Sequence, residues 1–77
     1  MIGGGKLNMF TFDDLLEYEL GDEVVLYEAP RQHPRNNFKT LTKGKIIKFY
    51  ENGFEIETKN GEIIRTYLPF VCTKEDK

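Results

Sequence analysis

The residues with the most chemistry to offer fall in one stretch, 30–50, PRQHPRNNFKTLTKGKIIKFY. It carries Arg31, Arg35, Lys39, Lys43, Lys45 and Lys48, the lone histidine His33, and no carboxylate. Guanidinium and ammonium groups at this density suit phosphates or a partner's carboxylates, and Phe38 or Tyr50 among them can stack on an unpaired base. Neutralising about six phosphates on a duplex would give a log–log salt slope of about −5. The plainer reading of the block is a solvated loop joined to a ladder of ion pairs. The rest of the chain differs in sign: residues 1–29 hold seven acids and one base, residues 51–77 are mixed, and the net charge is −2. The acids before residue 30 oppose a nucleic-acid backbone approaching from their side, and there is no recognition-helix motif.

Other chemistries find less support. Cys72 and His33 are each the single residue of their type and stand in no nucleophile motif. A lone cysteine excludes an internal disulfide and a cysteine-based zinc site, favours a reducing, cytoplasmic setting, and after Pro69-Phe70-Val71 reads as a small buried hydrophobe. His33 has no partner His or Cys at ligand spacing, so no metal is expected. Glu55 and Glu57 are spaced like paired catalytic carboxylates, but on an exposed strand face they are expected to pair across a hairpin with Lys45, Lys48 or Arg65. Gly3-Gly4-Gly5-Lys6 fails as a phosphate loop, because Leu7 stands where Ser or Thr is required. The expectation is a protein that is not an enzyme and uses no cofactor.

The elements that must position these residues are legible from period and punctuation. The chain of 77 residues is expected to form one domain over 11–77 behind a flexible lead, 1–10, in which Met9 is a candidate natural start. No secretory leader and no membrane span is expected, since apolar runs are only a few residues long. Residues 12–18 read as a short helix, with Thr11 and Asp14 as its capping box, Phe12, Leu15 and Leu16 as its buried stripe, and Gly21 as its stop. The period then changes to that of strands: 22–29, 44–52, 53–60 and 61–68, with 70–76 closing the sheet after Pro69. Asn52-Gly53 and Asn60-Gly61 predict two type I′ hairpin turns and hence a three-stranded meander. Apolar residues on both faces of 44–52 predict a strongly bent strand at a barrel corner. Residues 30–43, polar with two prolines, form a connection long enough to be functional or mobile. The last residues, 74–77, are expected to fray.

Strand, long loop, meander, break at Pro69 and short last strand: this order resembles the SH3-like small barrels, including the KOW and Tudor groups. KGKIIKFYENGFEIETKNGEIIRTYLPFV carries the likeness, with Gly44, Ile46 and Phe49 similar to the opening of a KOW motif. The resemblance spans Gly21 to about Thr73 and implies a mainly β, five-stranded SH3-like barrel, with the N-terminal helix outside its shared core. It also implies that loop 30–43 is the variable loop many such barrels use for contacts. The chain lacks tryptophan, so the Trp-lined proline groove of signalling SH3 domains is absent.

A two-signed small barrel is a docking surface, and Arg31, Arg35, Phe38, Lys39 and Tyr50 are the residues expected to bind the partner, with Phe38 as anchor. The partner is expected to be a protein, with the chain acting as a regulator or inhibitor of a larger machine, by analogy with small bacteriophage-encoded proteins. The alternative is a nucleic-acid-binding barrel using 31–48. Self-association through an edge strand is a further alternative. Lys45 and Lys48 are assigned to the charge ladder.

Overall fold

The computed structural model describes residues 11–29 and 32–75. The lead 1–10, Pro30, Arg31 and the last two residues lie outside the described residues. Five antiparallel strands form one sheet in the order β4-β3-β2-β1-β5: β1 Glu23–Tyr27, β2 Thr42–Tyr50, β3 Gly53–Glu57, β4 Ile63–Arg65 and β5 Val71–Lys74. The expected meander is β2-β3-β4, and the segment after Pro69 returns to pair with β1, Leu26 opposite Cys72.

The sheet is curled but open. In a flat sheet β3 and β5 would stand about 14 Å apart, three strand spacings. Instead Phe54 of β3 meets Phe70, just before β5, edge-on at 5.2 Å between ring centres. Val24, Leu26, Ile46, Ile56 and Cys72 join these two rings in a single core. Strands β4 and β5 remain the edges and do not pair, so the closed barrel expected from the sequence is corrected to an open, curled sheet.

The curl has a local cause. Ile46 pairs with Ile56, but the next matched pair is Lys48 with Glu55, which leaves Ile47 as an extra residue in β2. A bulge of this kind bends a strand and increases its twist. It also resets the alternation. Ile46 before the bulge and Phe49 after it both contribute to the core, while Ile47 is exposed. Apolar residues on both faces of 44–52 therefore mark one displaced residue.

Both hairpins form with turns other than those expected. Neither Asn52 nor Asn60 takes the positive φ that a type I′ turn needs. Tyr50 pairs with Gly53, so Glu51 and Asn52 make the turn and Gly53 opens β3 at φ +154°. A Cβ at Gly53 would run into the Thr66 carbonyl. In the second hairpin the Gly61 N–H donates to the Thr58 carbonyl at 2.9 Å, and Gly61 takes φ +84°, the three-residue loop closed by a left-handed glycine.

The helix α1 is a single turn, Phe12–Leu15, shorter than the expected 12–18. Its capping contact is present: the Thr11 N–H donates to Asp14 Oδ2 at 2.8 Å. The chain leaves the helix to pair with β2, the Gly21 N–H donating to the Ile46 carbonyl at 2.8 Å and the Ile46 N–H to the Asp22 carbonyl at 2.9 Å. Leu16, expected inside, is 84% exposed. Leu15 and Tyr18 pack on the core in its place. Among the described residues no helix is long and apolar enough to cross a membrane.

Candidate binding site

Three connections meet where β2 ends: the loop between β1 and β2, the turn at Glu51 and Asn52, and the segment between β4 and β5. The loop is pinned there. Asn36 acts as a clamp, its side-chain amide donating to the Tyr67 carbonyl at 2.6 Å and to the Pro69 carbonyl at 3.1 Å. Its Oδ1 accepts the Tyr67 N–H at 2.7 Å. The His33 N–H donates to the Pro69 carbonyl at 3.1 Å, and Gln32 Oε1 accepts the Val71 N–H at 3.0 Å. Beneath them Phe38, 5% exposed, sits in the core. A loop expected to be functional or mobile is thus tied to the β4–β5 segment and the start of β5, and anchored by a ring.

On this support stands a stack of rings and cations. The Arg65 guanidinium carbon is 3.8 Å from the centre of the Tyr50 ring and 4.2 Å from that of Tyr67. Arg35 lies 5.8 Å from the Tyr67 ring centre, and Lys48 Nζ lies 5.1 Å from that of Tyr50. His33 stacks on Tyr67 at 5.4 Å, and its Nδ1 accepts the Arg35 N–H at 3.0 Å. Arg65 also donates to the Thr66 carbonyl and to Asn52 Oδ1 at 2.7 Å. Glu55 Oε2 accepts the Tyr50 hydroxyl at 2.8 Å. Aromatic faces attract cations by their quadrupole, so much of the positive charge here is held by rings and neutral oxygens.

The opposite end of β2 is built differently. An open groove of about 720 Å³ is lined there by Lys43, Lys45 and Lys59 with Glu23, Glu57, Glu62 and Glu75. Lys43 Nζ is 3.3 Å from Glu75 Oε2, and Lys45 stands opposite Glu57 in the ladder. Gly44 passes so close to β3 that a Cβ on it would lie 2.7 Å from Ile56 Cδ1. Among the described residues no group of three or more His, Cys, Asp and Glu side chains is gathered that could hold a metal ion.

No protein-family model matches the chain, and neither a curated protein nor a solved structure matches it.

Of the residues expected to bind, Arg35 and Tyr50 come together through Tyr67 and Arg65. Lys39 is exposed in a separate turn, where its carbonyl accepts the Thr42 hydroxyl at 2.6 Å, and it joins none of the ring contacts described. Arg31 is outside the described residues. Phe38 is a correction: its ring is core, so it holds the loop down and is not available to a partner. Lys48, assigned to the ladder, is opposite Glu55 in register but also lies against Tyr50. Sequence reasoning missed Arg65, Tyr67 and Asn36. The signal for the first two was the meander itself, since Arg65 pairs with Glu55 and Glu55 with Lys48, and Tyr67 follows Arg65 by two.

Cys72 is buried among apolar side chains, and burial pushes its thiol up to about 12. Burial also raises Tyr18, with the Cys72 sulfur and the nearby acids adding to the effect. Neither group belongs to the stack.

Proposed function

We propose that the chain is a small, non-enzymatic SH3-like binding module that acts through protein contacts, docking by the face that carries Tyr50, Arg65, Tyr67 and Arg35. The strand order, the long first loop and the bulge in β2 support the SH3-like reading. The observation that carries the docking face is Arg65 held between two tyrosines where three connections converge. Arginine and tyrosine are the residue types that most often dominate interfaces. A side chain already fixed by its neighbours also loses little freedom on binding. Catalysis is disfavoured because Cys72 is an inert buried thiol and His33 spends Nδ1 on a backbone N–H.

A second reading, nucleic-acid binding, is favoured by the cations alone. The distinguishing experiment compares wild-type protein with Arg35→Glu, an exposed position whose change should leave the denaturation midpoint unmoved. The module reading expects a protein captured by wild type and lost with the variant, beside weak oligonucleotide binding. Capture unaffected by Arg35→Glu contradicts it. Tight oligonucleotide binding that falls steeply with salt and disappears in the variant establishes the second reading instead.

A further inference from the structure

We infer that the occupant of this face is an extended acidic segment of a protein partner, with carboxylates at alternate positions meeting Arg35, Arg65 and Lys48. The inference rests on the protein-docking reading and adds the chemistry of the partner.

The first argument is unspent hydrogen bonding. A guanidinium offers five N–H donors. Arg65 commits two of its nitrogens, to the Thr66 carbonyl and to Asn52 Oδ1, which leaves donors for an incoming carboxylate. Arg35 and Lys48 are exposed and touch ring faces, which take up no N–H donor in a strong bond. Charge-assisted bonds to carboxylates are what these groups lack.

Spacing is the second argument. Arg35 and Arg65 share the Tyr67 ring, and Arg65 and Lys48 share the Tyr50 ring, so each cation is one ring from the next. Alternate side chains of an extended peptide lie on one face about 6.6 Å apart. A segment with an acid at every second residue therefore offers its carboxylates on the one side that faces these cations.

The third argument separates a peptide from a nucleic acid. Bases bind such surfaces by stacking on aromatic faces, and both rings are already engaged, Tyr50 by Arg65 and Lys48, Tyr67 by Arg65, Arg35 and His33. The Glu55 carboxylate also sits within the stack on the Tyr50 hydroxyl, and Glu51 is exposed in the adjoining turn. Every nucleotide brings a charged phosphate toward these two acids, whereas a peptide can carry a neutral residue wherever they stand.

The test is fluorescence anisotropy on the full chain with a labelled short peptide of alternating Glu and Thr. A Lys and Thr peptide, a thymidine single strand and a DNA duplex serve as comparison probes. The expected result is saturable binding of the acidic peptide, weakened by about tenfold in each of Arg35→Ala and Lys48→Ala, the loss of roughly one charge-assisted contact. Lys43→Ala, in the groove at the other end, should leave it unchanged. Equal weakening by Lys43→Ala would show unspecific attraction and overturn the inference, as would oligonucleotide binding tighter than peptide binding and sensitive to Arg35. No acidic-peptide binding, with Arg35-dependent protein capture intact, removes the acidic segment and leaves the docking face. Loss of both removes the two readings together.

Discussion

The two ends of β2 use charge in opposite ways. At the Thr42 end, lysines of β2 and the β3–β4 turn face glutamates of β1, β3, the β3–β4 turn and the chain after β5 across an open groove, so each cation there has acids close by. The Lys43–Glu75 ion pair there is open to solvent, the kind that contributes about 0–1 kcal/mol. At the Tyr50 end, cations rest on rings and on neutral oxygens, and the Glu55 carboxylate within the stack accepts the Tyr50 hydroxyl. The basic block is thereby divided, with Lys43 and Lys45 in the balanced groove and Arg35 and Lys48 in the ring stack. On the proposed reading, a cluster of like charge in sequence serves as a binding surface where rings rather than ion pairs hold most of it.

Substitutions that separate the two ends should differ in size. Phe38→Ala removes the ring under the Tyr50 end and is expected to cost about 3–5 kcal/mol in chemical denaturation, as for other buried phenylalanines. A loss below about 1 kcal/mol would mean that the ring is not part of the core. Next comes the pair of turn glycines. Gly53→Ala combines a forbidden φ with a collision against the Thr66 carbonyl and should cost about 3 kcal/mol or more. Gly61→Ala, at the groove end, meets nothing within 4 Å and should cost only the left-handed strain of about 1–2 kcal/mol. Similar losses for both would contradict the close packing at Gly53.

Charge removal gives smaller effects. Arg65→Ala gives up two ring contacts and two hydrogen bonds and should cost about 1–2 kcal/mol, whereas Lys43→Ala should fall within about 0.5 kcal/mol. If Lys43 proved the costlier loss, the roles assigned to the two ends would be reversed.

Alkaline titration reports on the core beneath both. The Cys72 thiol is raised from its ordinary 9.0 to about 12, so the unfolded chain releases this proton first. Its stabilising contribution is complete below about pH 9 and lost as pH climbs through the folded value. Tyr18, raised from 10.0, acts in the same direction at higher pH. Denaturation midpoints should fall from about pH 9 upward, and Cys72→Ala should shallow the first part of that fall. An unchanged pH profile in the variant would assign the loss to other groups.

Much of the sheet was legible because its signals are local. Alternation in 53–57, the two Asn-Gly pairs and the break at Pro69 each reflect backbone preferences within a few residues. What escaped depends on contacts distant in sequence. The helix read over 12–18 stops at Leu15 because residues 21 and 22 pair with Ile46. The turn types follow from pairing register, which sets Tyr50 against Gly53 and makes the glycine a strand residue. Phe38 carries no periodicity, being a lone ring in a polar loop, so its type suggested an anchor while its surroundings make it a pin. Arg65 was read as an ion-pair partner because register places it opposite Glu55, while its contacts with the Tyr50 and Tyr67 rings depend on side-chain placement that register does not specify.

The central claim is that the Tyr50 end, and not the groove, receives the partner. Amide chemical-shift mapping during titration with the acidic peptide tests it most directly. The account predicts shifts confined to residues 33–36, 48–52 and 65–69, with 42–45 and 57–62 unmoved. Shifts centred on 42–45 and 57–62 would place binding in the groove and contradict it.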